Sequence, residues 1–435
     1  MNEAGSSRPP SWKQSRGLAG VTSVVLVLVA GPVLASGVVR DSVGATSSGR
    51  GGANIAHFDN GPVLLSNPAG IVNIQGPQLF EFGVDAVFTD LNYHDPENSG
   101  ATDFASSPLP QITYIKSSED GLWAAGIGVY APAGFSSDWD LNNPVFGSAS
   151  YSSFGALVKV IPGVAFHLTD DWSVGATLGL AASRIELNTP FYIQTGILAG
   201  APAVLDLDTD GLAPTWSIGT QYQLTDRTTL GLVYVSECDF TLKGEAATSV
   251  VGLTPDPVKS EFDANMDLVW PQSVGGGISH LFGERHRVSA DVVWYDWSSA
   301  FDRVDLRFTD STNPLVPAVV GPVLRDSFPL GWDDGVSVRV GYEFFRTCSD
   351  VIRVGYIHNS RNIPSSTLTP LIPATMEHSF TVGYGKCGET WRTDIAYQYA
   401  WGPEREVATS AIVGGDFSAS ESTSQAHWVM LSFLR

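Results

Sequence analysis

Cys387-Gly388-Glu389-Thr390-Trp391-Arg392-Thr393-Asp394-Ile395-Ala396-Tyr397-Gln398-Tyr399 opens as a tight polar turn and runs on as a strand. Ile395, Tyr397 and Tyr399 share one face, and Asp394, Ala396 and Gln398 share the other. A period of two is the signature of an extended chain whose side chains alternate between faces. The same reading fits Arg287 to Trp297, where Val288, Ala290, Val292 and Trp294 oppose Ser289, Asp291 and Tyr295. Apolar faces of this kind suit lipid, and polar faces suit a lumen.

Outward from that stretch the chain keeps a rhythm. Short polar turns stand at Ser117-Ser118-Glu119-Asp120-Gly121, Thr169-Asp170-Asp171, Thr225-Asp226-Arg227, Gly283-Glu284-Arg285-His286 and Arg346-Thr347-Cys348-Ser349-Asp350. They alternate with loops of roughly fifteen to thirty residues, as expected when antiparallel strands cross a bilayer and one side carries the long loops. Fourteen strands are predicted, starting near Gln78, Gln111, Leu122, Ser150, Trp172, Ala213, Thr228, Lys259, Arg287, Asp334, Val351, Glu377, Trp391 and Gln425. An even number returns both ends to one side of the membrane.

After Ser36 no apolar run reaches the ~18 residues a spanning helix needs. The longest, Ala124 to Phe135, is broken by glycines and Pro132. Strands that cross lipid must close, because every backbone N–H and C=O has to be paired internally. The fold class is therefore all-β, a transmembrane antiparallel β-barrel. Aromatic girdles are expected near the short turns (Phe166, Trp172, Tyr222, Phe282, Tyr342, Trp391, Phe433) and near the long loops (Tyr130, Tyr234, Trp294, Trp297, Trp332, Trp401). Pro162 and Pro271 each remove a ladder donor and mark bulges where a lateral gap can open.

Residues 1–35 read as an export signal. Arg8, Lys13 and Arg16 form a basic region, Val21 to Leu34 an apolar one, and Val33-Leu34-Ala35 supplies small residues before a cut near Ser36. Residues 36–76 are rich in Gly, Ser and Ala and lack alternation. They suit either a flexible leader or a small folded plug inside the barrel formed by 77–435, where glycines permit close backbone approach and Asn67-Pro68 sets a turn.

The formal charge of −21 excludes a nucleic-acid binder held by phosphate neutralisation. No GxSxG, HExxH or phosphate-binding loop is present, so no catalytic residue, cofactor or metal is expected. Asp206-Leu207-Asp208-Thr209-Asp210-Gly211 resembles the start of a calcium loop, but Ser217 stands where the bidentate Glu belongs. A solvated acidic turn in an external loop is expected instead. Cys348 and Cys387 lie in turns on one side and could pair if their Cα atoms come within ~7 Å, while Cys238 reads as a small packed strand residue. Leu198 to Leu205 and Pro314 to Leu324 are uncharged stretches within long loops. They suit either capture of hydrophobic ligands or packing of loop on loop. A ligand carboxylate would want a lumenal cation, for which Lys159, Arg184, Arg303 and Arg353 are candidates.

Several short motifs in fixed order complete the reading. They are Ser66-Asn67-Pro68-Ala69-Gly70, Ile161-Pro162-Gly163-Val164-Ala165-Phe166, Trp270-Pro271-Gln272-Ser273-Val274, Asp291-Val292-Val293-Trp294-Tyr295-Asp296-Trp297-Ser298, Gly331-Trp332-Asp333-Asp334, Arg353-Val354-Gly355-Tyr356 and Ile395-Ala396-Tyr397. Together the chain resembles the long-chain fatty acid outer-membrane transporter family, the FadL/TodX type. The resemblance implies a fourteen-stranded outer-membrane barrel closed by an N-terminal hatch, with Asn67, Pro68 and Ala69 as the hatch motif. It implies energy-independent uptake of fatty acids or other hydrophobic compounds, which leave sideways beside a kinked third strand. That strand would be Leu122 to Tyr130, with Gly126 and Gly128 as flexible points. Val38 would be the apolar contact with ligand, and of the cations named above Arg184 and Arg353 are carried forward with it as candidate ligand contacts. One departure is the end, where Phe433 is followed by Leu434-Arg435. The expectation is a monomer whose partners are hydrophobic small molecules and outer-membrane lipid. The alternatives are a porin for polar solutes, an aromatic-hydrocarbon channel, and an outer-membrane enzyme or adhesin.

Overall fold

The computed structural model describes residues 38–102, 106–347 and 349–435. The expected export signal, the cut near Ser36 and Cys348 lie outside them.

Fourteen antiparallel strands close on themselves. β1 is Gln78–His94, β2 Ser106–Ser117, β3 Trp123–Asn143, β4 Gly147–Thr169, β5 Trp172–Tyr192 and β6 Pro202–Thr225. β7 runs Thr228–Val235 and on through Cys238–Val250, and β8 runs Val258–Trp270 and Ser273–Phe282. β9 joins His286–Tyr295 to Arg303–Thr309, and β10 joins Leu324–Pro329 to Gly335–Phe345. β11 is Asp350–Asn359, β12 His378–Cys387, β13 Arg392–Trp401 and β14 Ser420–Leu434. Each half of an interrupted strand pairs with the same neighbour as its other half, which makes it one strand of the wall. β1 pairs with β14 from Glu81↔Leu434 to His94↔Glu421 and seals the cylinder.

Alternation sets which face meets what. In β13, Asp394, Ala396 and Gln398 are buried, while Ile395 and Tyr397 are exposed on the outer wall. Phe166, Trp172, Tyr222 and Phe282 stand exposed near the short turns, at the girdle level. Among the girdle aromatics expected near the long loops, three are elsewhere. Tyr130, Trp297 and Trp332 are buried inside. Tyr130 falls on the inward parity of β3, and Trp297 begins a short helix (Trp297–Ala300) inserted in β9.

Strands that follow short turns start where their sequence implies, such as Gln78, Trp172 and Thr228. Strands that follow long loops start earlier, at Pro202 rather than Ala213 and at Leu324 rather than Asp334. They project above the girdle, where the outer face is polar and the lipid pattern is lost. The acidic run is part of this extension. Asp206, Asp208 and Asp210 are not in a loop but pair with Asn188, Glu186 and Arg184 in β6–β5. Held extended and exposed on one face, they cannot wrap an ion as a calcium loop does.

Pro271 does interrupt β8 between its two segments. Beside Pro162 the β4–β5 ladder skips from Val160↔Leu180 to Gly163↔Thr177, with no change of register. Cys238 is buried in β7, and Cys387 is exposed and has no disulfide partner among the described residues.

Candidate functional site: hatch, lumen and a gap in the wall

Residues 38–76 fill the periplasmic half of the lumen. Three short pieces carry them: Ala45–Gly49, Val63–Ser66 and a 3₁₀ turn at Pro68–Asn73. Asn67 organises the last. Its side-chain oxygen accepts from the Ala69 N–H at 3.2 Å, while its amide nitrogen donates to the carbonyls of Ile55 (2.8 Å) and Thr220 (3.1 Å). Pro68 follows at the first helical position, where its missing N–H costs nothing. The Ala69 carbonyl accepts from Ser173 Oγ. So Asn67, Pro68 and Ala69 bind hatch to wall. Gly219 in β6 lets them come close: a Cβ there would lie 2.0 Å from Asn67 Oδ1.

Wall carboxylates hold hatch backbone. Asp291 accepts from the N–H groups of Asn54 (2.7 Å) and Ile55 (2.9 Å), Glu81 from Gly61 (2.6 Å) and Asp85 from Gly44 (2.9 Å). Arg40 of the hatch pairs with Asp85 and lies over the Trp428 ring. Lower down, Arg50 pairs with Asp59 at 2.8 Å and with Glu343 at 3.5 Å. Burial works against the charge of Asp59, yet Arg50 holds its carboxyl well below the ordinary range. Burial, then the Arg50 charge, pushes His57 down to about 3.

Arg353 belongs to this network. It is buried and donates to Glu343 (2.8 Å) and Asp394 (2.5 Å), so it is a structural cation beneath the hatch. Arg184 is not in the lumen at all. It stands exposed on the outer wall of β5, paired with Glu186 and Asp208 at 2.8 Å each, because its parity points outward. Arg303 is likewise exposed. Lys159 in β4 is buried and inward. Of the buried cations Arg40, Arg50, Lys159, Arg339, Arg353 and Arg405, Lys159 alone makes neither hydrogen bond nor ion pair among the described residues.

The extracellular half of the lumen is apolar. Leu109, Phe135, Leu157, Leu205, Phe240 and Leu242 belong to one buried cluster, and Val38, fully buried, joins it from the hatch. Rings of Trp297, Phe301 and Trp332 meet within this cluster at 4.8–4.9 Å between centroids. The long loops divide. Leu198 packs on the cluster, and the β11–β12 loop folds inward, its Leu371 carbonyl accepting from Ser153 Oγ. The helix Leu315–Val320 instead exposes Leu315 and Val319. A cavity of about 490 Å³ opens at the periplasmic mouth between hatch and wall, lined by Phe58, Leu79, Leu281, Arg287, Arg353 and Arg392 among others.

Among the described residues one stretch of wall is not zipped. β2 pairs with β1 along its length, from Lys116↔Gln78 to Ser106↔Phe88. It pairs with β3 only from Ser117↔Ala124 to Ile112↔Val129. Just above, β3 shifts register against β4 between Tyr130 and Ala133. Higher still, the wall is rejoined where Asn142 N–H donates to Asn98 Oδ1 at 2.7 Å. Between these limits lies a window. Its β3 edge is covered by the hatch's leading residues: Arg40 N–H donates to the Pro132 carbonyl (2.9 Å), and Gly134 N–H to the Val38 carbonyl (2.8 Å). Gly126 and Gly128 lie below the break in an unbroken ladder. Gly128 makes room for the Tyr130 ring, whose hydroxyl bonds Thr113 (2.6 Å) and the Gly61 carbonyl (3.2 Å). Sequence reasoning put the flexible points at Gly126 and Gly128, whereas the bulge lies just beyond them, between Tyr130 and Ala133. Two prolines in β2, described below, were the available signal.

A plugged barrel with an apolar lumen and a gap in its wall defines a class of outer-membrane channel. The chain belongs to the outer membrane protein transport protein family (OMPP1/FadL/TodX), whose model matches residues 26–433. It is an outer-membrane β-barrel of a family that transports hydrophobic compounds. An outer membrane protein of Neisseria meningitidis serogroup B, NMB0088, is 23% identical across 73% of this chain and 78% of its own length. Among solved structures, a Pseudomonas aeruginosa FadL homologue superposes with a TM-score of 0.75 at 18% identity, covering 92% of this chain and 99% of the other. The Pseudomonas putida toluene transporter TodX gives 0.74 at 20%, covering 92% and 99%. The Ralstonia pickettii toluene transporter TbuX gives 0.72 at 20%, covering 91% and 98%. At these identities the likeness shows the fold.

Proposed function

We propose that this chain carries long-chain fatty acids or other hydrophobic compounds across the outer membrane by passive, ligand-gated diffusion, releasing them sideways. The carrying observation is the unzipped stretch between β2 and β3, which joins an apolar lumen to the lipid side. Each ligand methylene buried is worth ~0.8 kcal/mol, so an apolar lumen binds a chain well. Release then requires the site to change. Val38 belongs to the apolar cluster and, with Arg40, covers the window edge, so a ligand that displaced Val38 would also uncover the exit. In this reading residues 1–35 are removed on export and 36–76 act as the gate.

Lys159 favours a carboxylate head. A buried ammonium without a partner is costly, and an arriving carboxylate would relieve that cost. Aromatic hydrocarbons are the second reading, supported by the Trp297–Phe301–Trp332 cluster and by the toluene transporters that share the fold. A polar-solute porin fits poorly with a lumen filled by the hatch.

Two measurements test this. Mass spectrometry of molecules co-purifying with the folded protein should recover hydrophobic ligands; recovery of polar solutes alone would overturn the reading. Deleting residues 36–76 should leave a heat-modifiable barrel with raised ionic leak in planar bilayers. An unchanged leak would mean that the segment gates nothing.

A further inference from the structure

The sequence of β2 contains Ser107-Pro108-Leu109-Pro110-Gln111, two prolines inside a membrane strand. Proline is confined to positions where a strand's N–H is not needed, so the direction of those nitrogens matters. Successive N–H groups of a strand point to opposite sides, and alternate ones to the same side. The β2 end fixes the parity. Ser117 N–H donates to the Pro77 carbonyl, on the β1 side, and Ser118 N–H donates to the Trp123 carbonyl, on the β3 side. The register runs unbroken from Lys116↔Gln78 to Ser106↔Phe88, so parity is kept throughout. Even-numbered residues of β2 therefore face β3, and Pro108 and Pro110 are both even-numbered.

Their register with β1, at Ala86 and Val84, is undisturbed, as it must be if their nitrogens point away from it. Of the three even positions above Ile112, only Ser106 retains a backbone donor toward β3. The two missing donors sit along the length where the β2–β3 ladder is absent. Facing each other across the window are thus a strand that has lost two of its three donors and a strand, β3, that has found a substitute partner in Val38–Arg40.

We propose that Pro108 and Pro110 hold this window open, so that the gap is a fixed feature of the wall and not a transient opening. They act in two ways. They withhold the donors that would let β2 compete with the hatch for the free edge of β3. They also remove N–H groups that would otherwise point unpaired toward lipid, where each costs several kcal/mol. Pro108 is exposed on the outer wall and Pro110 half-buried, so neither is a packing residue of the lumen. Both are positioning residues for the exit. The proposal rests on the lateral-release reading for its functional meaning, but not for its structural content.

The test restores the donors. Pro108→Val, Pro110→Val and the double variant are made in the full-length protein and compared with it in detergent by backbone hydrogen exchange. The double variant should slow exchange in residues 106–111 and 130–136, by roughly two- to tenfold for each bond gained, with the single variants intermediate. Uptake of a fluorescent fatty acid into proteoliposomes should fall in parallel. Unchanged exchange in those segments would overturn the proposal, whatever uptake does. Slower exchange with undiminished uptake would uphold the closed window and instead sink lateral release. Should the double variant fail to fold, Pro108→Ala and Pro110→Ala each restore one donor with little added bulk, and the same two readouts apply. In the unsubstituted protein the Ser106 amide, the remaining donor toward β3 above Ile112, should exchange faster than the amides of Ile112, Tyr114 and Lys116; equal protection would also overturn the proposal.

Discussion

Gly219 in the wall and Asn67 in the hatch approach so closely that the glycine's absent Cβ would lie 2.0 Å from Asn67 Oδ1. No side chain, however small, fits there without moving one of them. Gly219→Ala should therefore loosen the hatch while leaving the wall, whose ladder does not need a glycine at that position. Overpacking of this sort costs about 1–3 kcal/mol. The expected outcome is a raised ionic leak in planar bilayers with an unchanged heat-modifiability shift on gels.

Arg353 links Glu343 to Asp394 beneath the hatch. Replacing it with methionine takes one cation from each of two buried carboxylates, leaving Glu343 to Arg50 and Arg287 and Asp394 to Arg392. Breaking a buried pair by removing one partner costs about 3–5 kcal/mol. Arg353→Met should lower the denaturant midpoint of the folded barrel, while ligand affinity measured on the protein that remains folded stays as it was. A selective loss of carboxylate ligands would show instead that Arg353 faces the ligand.

Acid should release the hatch. Docked, His57 titrates at about 3 against an ordinary value of 6.5, because burial and then Arg50 oppose its charge. A freed His57 takes up a proton near its ordinary value, and a docked one refuses it, so release absorbs a proton between those limits. Asp59 and Glu343 partly offset this, and Arg287 adds to it. The His57 contribution to docking is thus lost as pH falls from 6.5 toward 3, while buried Asp41, whose carboxyl burial pushes up, works the other way. Asp59, held down by Arg50, adds a loss only below its ordinary value of 3.8. Leak conductance recorded against pH should rise across the upper window, and His57→Gln should flatten that rise.

Lys159 should discriminate by head group. Lys159→Met keeps the stem and removes the charge. Affinity for a fatty acid should drop about tenfold or more, as for a lost charge-assisted bond. Affinity for the alcohol of equal chain length should not change, and Lys159→Arg should restore acid binding. Parallel losses for acid and alcohol would mean that the lysine shapes the lumen without reading the head group.

What the sequence disclosed follows from where solvent is uniform. Inside the bilayer, each wall strand has lipid on one side and lumen on the other, so alternation in Trp391–Tyr399 was legible, as were strand starts after short turns. Above the bilayer both faces of β6 meet polar surroundings or other loops, and Asp206–Asp210 passed for a turn. Arg184 looked like a lumenal cation because parity cannot be assigned once the lipid pattern stops. Lys159 was among the candidates, but only three-dimensional pairing separates it from Arg353. The Asn67-Pro68-Ala69 turn was visible, whereas its dependence on Gly219, far along the chain, was not. The window was least legible, since it arises from a ladder that is missing, and absence leaves no periodic mark.

Strand lengths carry one more consequence. β4, β5 and β6 run 23, 21 and 24 residues, whereas β11, β12 and β13 run 10 each. With turns level on the periplasmic side, one flank stands roughly 30 Å above the other. The crown slopes like a pulpit, its high side bearing Asp138, Asp140, Asp206, Asp208 and Asp210 toward the surroundings. Antibodies or phages that touch intact cells would meet this acidic parapet first.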